Sequence, residues 1–200
     1  MTGAVVSSTG VVVPIRAFAL GKARLADHLT GDERAALAMR LAESVVTAAE
    51  DLPVLIVSSD LDVQRWAAAR SLRVIDDPGS LDGAAMIGRS WFATAGAGRV
   101  VIAHADLPRV TTFRRVTRDG TLPIVTLVPC HRDDGTPVLS LPAHGAFTFR
   151  YGSGSFRRHA AEARRRGLAV RVVRDRDLAF DVDTADDLAQ LDFAALPTGP

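Results

Sequence analysis

Apolar runs of strand length alternate along this chain with stretches of helical period. That alternation restricts it to an α/β sheet with crossover helices. The first run, Val11–Ile15, is short and continuously apolar, as expected of a buried strand. Pro53–Val57, Leu72–Ile75, Arg99–Ala103, Pro123–Val128 and Ala169–Val173 read as further strands. A helix is predicted from the capping-box sequence Thr30-Gly-Asp-Glu33 to about Glu50, with Leu37, Leu41, Val45 and Ala48 on one face. Others are predicted over Leu61–Ser71, Gly83–Thr94, Thr111–Arg118, Ser155–Arg166 and Ala185–Leu191. Val138–Leu141 and Ala146–Phe149 are short and are predicted to form a small, irregular antiparallel portion. The expectation is a single α/β domain over residues 1–200, with a mostly parallel, Rossmann-like central sheet flanked by helices. Its core runs over about 10–192, with tails at 1–9 and 194–200.

Composition removes several function classes. A net charge of +1 argues against a general nucleic-acid footprint. Arg157, Arg158, Arg164, Arg165 and Arg166 read as a solvated helix face, with few aromatics interleaved for base stacking. Cys130 is the single cysteine and fits a reducing compartment. No apolar run approaches the roughly 20 residues of a membrane helix, and the first residues lack the charged region of a secretory signal. A cytoplasmic protein with neither nucleic acid nor membrane as partner is expected.

Three segments carry chemistry. Lys22 is the only lysine in the chain and follows the first strand in a cationic loop with Arg16, Gly21 and Arg24. A compact ammonium suits a point contact to phosphate, and a guanidinium forks onto two oxygens; a solvated loop is the alternative reading. In Val100-Val-Ile-Ala-His104-Ala-Asp106-Leu-Pro108 an apolar strand ends in a carboxylate. Ligands of open α/β sheets collect at that end, where an Asp can hold Mg²⁺ together with substrate phosphates or simply form a turn. Further on, Asp181 and Asp183 lie two apart in an extended segment and so project to one side. With Asp106 they compose a candidate magnesium site. Asp186 and Asp187 read instead as first-turn residues of the last helix, capped by Thr184. Finally, Gly152-Ser-Gly154-Ser155 leads into a helix start, whose free amides suit an anion. Ser155 and His159 lack an orienting third group and do not read as a nucleophile pair.

Taken together, Lys22-Ala-Arg24-Leu25, Ala105-Asp106-Leu-Pro108, Arg150-Tyr-Gly152 through Ser155 and His159, and Asp181-Val-Asp183-Thr184 resemble the guanylyltransferases of coenzyme F-420 biosynthesis. These are relatives of the nucleotide-diphospho-sugar and molybdenum-cofactor nucleotidyltransferases. The resemblance runs from Val11 to about Leu191. It implies transfer of GMP from GTP to a phosphorylated three-carbon acid, 2-phospho-L-lactate or phosphoenolpyruvate, with release of pyrophosphate. It further implies Mg²⁺ on Asp106, Asp181 and Asp183, and acid binding by Thr136, Gly152 and Ser155. Arg16, Lys22, Arg24 and Asp82 fall on the nucleotide side, with Arg16, Lys22 and Asp106 in catalytic roles. A downstream transferase that consumes the product is the implied partner. Departures fall at Arg16, where Lys is usual, at Cys130, where Asp is common, at Asp82, near which Asn is usual, and in the loop His131–Pro137. They leave open a related nucleotidyltransferase with another acceptor, or a non-catalytic nucleotide-binding paralogue.

Overall fold

The computed structural model describes residues 9–197; Met1–Ser8 and Thr198–Pro200, which hold most of the first expected tail and the end of the second, lie outside the described residues. The elements in chain order are β1 (Thr9–Pro14), α1 (Gly31–Ala48), β2 (Val54–Val57), α2 (Leu61–Ala68), β3 (Arg73–Ile75), α3 (Leu81–Thr94), β4 (Arg99–Ala103) and α4 (Arg114–Thr117). They continue with β5 (Ile124–Val128), β6 (Val138–Pro142), α5 (Ser155–Arg165), β7 (Ala169–Val172), α6 (Arg176–Ala179) and α7 (Ala185–Ala189). A 3₁₀ turn covers Ala23–Leu25. Among the described residues no helix is long and apolar enough to cross a membrane.

All strands join one sheet in the order β3-β2-β1-β4-β6-β5-β7. Only β6 runs antiparallel, between β4 and β5. The expected antiparallel portion is therefore one strand inside the main sheet, and Ala146–Phe149 is not a strand. The amides of Thr148 and of Arg150 just beyond it find side chains of α5 instead of a ladder. Thr148 N donates to Glu162 Oε1 at 3.0 Å and Arg150 N to His159 Nε2 at 2.9 Å. Phe147 and Phe149 meanwhile bury their rings against the sheet.

Side chains alternate between two apolar layers, as the period of a strand requires. Val11, Val13, Val101 and Ala103 pack towards α1, α2 and α4. Val12, Val100 and Ile102 pack towards α3 and α5. The α3 layer lies close because Gly88 faces Val12; a Cβ there would meet Val12 Cγ1 at 2.5 Å. The capping box of Thr30 and Glu33 starts α1 as predicted.

A third cluster sits at one end of the sheet: Leu25, Leu37, Leu41, Phe180, Val182 and Leu196. It clamps the loop after β1 to the segment around Asp181–Asp183. Part of the expected tail packs there too. Leu196 is buried, and Arg40 donates to the carbonyls of Phe193, Leu196 and Pro197, while Ala194 and Ala195 stay exposed.

Between β1 and β4 the chain order reverses, with β2 and β3 built to one side and the remaining strands to the other. The loops leaving the carboxyl ends of these two parallel neighbours open a crevice, the general ligand position of such sheets.

Candidate active site

Lys22 and Asp106 come from opposite sides of that crevice and meet. Lys22, in a left-handed backbone conformation, sends its ammonium to Asp106 Oδ2 at 2.7 Å and to the carbonyl of Val182 at 2.5 Å. Its Nζ lies 3.8 Å from Asp183 Oδ1, and Arg24 approaches the other oxygen of Asp183 at 4.0 Å. The backbone amide of Val182 in turn donates to Asp106 O at 3.3 Å, tying the two acidic segments together.

Asp106, Asp181 and Asp183 thus converge, although among the described residues no three His, Cys, Asp or Glu side chains form a ready metal-ligand set. The tethered ammonium of Lys22 lies among them instead. Their titration reflects the crowding. Burial works to raise the Asp106 carboxyl, but the charge of Lys22, aided by His104, holds it below its ordinary range. At Asp181 the pull of His104 is outweighed. Burial first, then repulsion from Asp106 and Asp183, pushes it up. His131 Nδ1 lies 3.1 Å from Asp181 Oδ1, yet off the line that a hydrogen bond requires. Asp106 Oδ1 and Asp181 Oδ1 are therefore buried without a donor. Buried carboxylate oxygens left open in this way fit a hard cation such as Mg²⁺.

Two cavities meet at these acids. One, of about 330 Å³, is lined by the β1 loop, including Arg16, Gly21 and Lys22, and by His104, Asp106 and Asp183. Arg16 is exposed there and takes no ion pair among the described residues. The other, of about 410 Å³, is lined by Arg24, Arg132, Thr136, Gly152 and Ser155, and again by His104, Asp106 and Asp183, with Asp181. The carboxylates stand where a cationic pocket opens into one walled by hydroxyls.

The helix start at Ser155 differs from expectation. The amides of Gly154, Ser155 and Phe156 already have acceptors in Asp134 Oδ1, Gly152 O and Asp134 O. Ser155 borders the cavity with its hydroxyl 3.2 Å from that of Thr136. Asp82 is not brought into the cleft. Its carboxylate accepts from the amide of Tyr151 at 2.7 Å, so it fastens α3 to the Arg150–Gly152 segment. Asp187 is structural as read: it closes the capping box with Thr184 and takes Arg132 at 2.6 Å and His131 at 3.2 Å.

The unusual loop has its own supports. Cys130 Sγ accepts from the amide of Gly135 at 3.1 Å, and the carbonyl of Pro137 accepts from His104 N at 2.9 Å. A thiol thus holds the turn in the place where a carboxylate is common, and Pro137 needs no donor of its own.

Sequence reasoning missed His104 and Tyr151. His104 Nε2 and Tyr151 Oη are buried without partners in this cleft, their rings 5.4 Å apart. Burial and the nearby Asp82 raise the Tyr151 phenol, which stays a neutral donor. His104 was accessible to the same period-two argument as Asp181 and Asp183, since it lies two residues before Asp106. Tyr151 carried no such signal, because its position depends on a coil segment.

A family model described as guanylyl transferase CofC like matches residues 9–194. The chain is 37% identical over 191 residues to the phosphoenolpyruvate guanylyltransferase of Sphaerobacter thermophilus, covering 92% of each chain. It is 29% identical to the 2-phospho-L-lactate guanylyltransferase of Methanothermobacter thermautotrophicus, covering 92% of this chain and 83% of that one. A solved nucleotidyl transferase from the same species superimposes with a TM-score of 0.61 at 15% identity, covering 91% of this chain and 94% of that one. That last likeness speaks to fold alone.

Proposed function

The chain belongs to the CofC-like guanylyl transferase family, and from that premise we propose that it transfers GMP from GTP to phosphoenolpyruvate, releasing pyrophosphate. The observation that carries this reading is the meeting of the two cavities at Asp106 and Asp183. One side is suited to a triphosphate, with Arg16 and Lys22. The other is suited to a small phosphorylated acid, with Thr136, Gly152 and Ser155. An oxygen of the acid's phosphate attacks the α-phosphorus of GTP, and the bond to the pyrophosphate oxygen breaks in line. No protein nucleophile is needed, so the residues act by holding two anions together and neutralising charge.

Lys22 is held by Asp106 and Val182, and in this reading its ammonium neutralises negative charge on the departing pyrophosphate. Asp106, Asp181 and Asp183 would hold Mg²⁺, which when bound supplies further neutralisation of the reacting phosphates. Phosphoenolpyruvate is chosen over 2-phospho-L-lactate on the 37% identity with the Sphaerobacter enzyme. The place we assign to the reaction is coenzyme F-420 biosynthesis in the cytoplasm, with the product handed to a transferase. The lone buried thiol, Cys130, suits a reducing compartment.

The test is pyrophosphate release from GTP and Mg²⁺, with phosphoenolpyruvate, 2-phospho-L-lactate and 3-phosphoglycerate offered in parallel. The downstream transferase and its deazaflavin acceptor are included to trap a labile product. Release that depends on phosphoenolpyruvate is expected; GTP binding with no release from any acid would refute the transferase reading. Asp106→Asn should lower turnover by roughly two orders of magnitude, the scale for removing one preorganised electrostatic group, while its circular dichroism stays that of the parent. Near-parental turnover would remove Asp106 from the chemistry.

A further inference from the structure

Behind the hydroxyl-lined cavity three buried polar side chains stand in a row. His159 and Thr136 are fully buried and Ser155 is 1% exposed. The amide of Arg150 donates to His159 Nε2 at 2.9 Å. An amide N–H can only donate, so Nε2 must offer its lone pair and the ring proton sits on Nδ1. His159 Nδ1 lies 3.2 Å from Thr136 Oγ1, which lies 3.2 Å from Ser155 Oγ.

The row holds three protons, on Nδ1, Thr136 Oγ1 and Ser155 Oγ, and its two internal contacts each use one. Whichever way the hydroxyls turn, one proton is left over. Thr136 and Ser155 both border the cavity, so a ligand that opens onto them meets that proton. We propose that His159 is a positioning residue that, by its fixed neutral tautomer, keeps the Thr136–Ser155 pair a donor for an acidic oxygen of the acceptor. With the opposite tautomer, Nδ1 would accept from the row and withdraw the spare proton. The proposal rests on the function argued above.

The surroundings keep the ring neutral. Tyr151 packs edge-on at 4.8 Å, and Phe147 and Phe149 lie against it. Among charged or titratable neighbours, Asp82 and Glu162 favour protonation, while Arg158 and His104 oppose it. The two acids are engaged elsewhere: Asp82 by the Tyr151 amide, Glu162 by Arg165, Arg166 and the Thr148 amide. A second ring proton would also point its N–H at that of Arg150.

Two measurements test this. Long-range ¹H–¹⁵N spectra of histidine-labelled protein at neutral pH should show His159 as the Nδ1–H tautomer; an Nε2–H tautomer or an imidazolium would overturn the proposal. In kinetics, His159→Phe leaves two hydroxyl protons for one internal contact, so a donor is still left over, whereas the carboxylate of His159→Asp can only accept and draws that proton into the row. His159→Asp should raise the acceptor KM about tenfold, the scale of one lost hydrogen bond to a charged group. His159→Phe should keep the acceptor KM near that of the parent, and the KM for GTP should stay unchanged in both variants. Equal losses in both variants, or a parallel rise in the KM for GTP, would reduce His159 to packing. Absence of turnover in the parent protein would refute the function instead, since the tautomer is read without turnover.

Discussion

His159 and Glu162, three residues apart on α5, titrate in different windows, and each sets a distinct pH dependence of stability. Burial lowers the His159 ring from 6.5 to about 4. Between those values the unfolded chain binds the extra proton and the folded one does not, so stability is full above 6.5 and falls as pH drops towards 4. The loss is on the order of 3 kcal/mol. For Glu162 burial acts upwards but Arg166 and Arg165 outweigh it, taking the carboxyl from 4.5 down to about 2. Its contribution is full above 4.5 and fades only towards 2. Melting curves should therefore show a first decline between pH 6.5 and 4 that His159→Asn flattens and Glu162→Gln leaves in place. At this scale the sequence was informative where chemistry is intrinsic to residue type. A lone lysine after a strand and an Asp at a strand end are rare enough to mark, and Lys22 and Asp106 lie 2.7 Å apart. The Asp82 carboxylate, expected on the nucleotide side, takes a backbone amide at Tyr151, and nothing in the sequence of α3 records that partner.

Elements whose stabilising groups are local were legible. Thr30 and Glu33 start α1, and Thr184 and Asp187 start α7, within four residues of sequence. The runs Val11–Val13 and Val100–Ala103 are apolar because both sheet faces are covered. Ala146–Phe149 misled because its phenylalanines do pack inward, while the amides of Thr148 and the adjoining Arg150 are taken by side chains of α5. The direction of β6 was equally out of reach, since pattern does not report pairing sense. Close approach of α3 to β1 is also a matter of neighbours, and it gives a test at this scale. Gly88→Val would drive side chain into Val12, costing about 1–3 kcal/mol as overpacking does. A melting temperature unchanged by that substitution would mean α3 does not lie where described.

For the whole molecule, the proposed function makes one crevice couple both substrates to stability. GTP at about 100 times its dissociation constant should stabilise the fold by roughly 2.7 kcal/mol, or about 5–10 °C for a chain of 200 residues. EDTA should remove much of that shift, because Asp106 and Asp181 leave buried oxygens open for a cation. An EDTA-insensitive shift would separate nucleotide binding from these carboxylates. The sequence by itself determined the α/β class, the capped helices, the buried strands and the residue types of the site. It did so because helical and strand periods, caps and strand-end carboxylates are short-range properties. Only the tertiary structure decided that Lys22 lies among the acids, that β6 reverses inside the sheet, and that His159, Thr136 and Ser155 form one row. Those facts depend on which distant donor meets which acceptor, and that is settled when the layers pack.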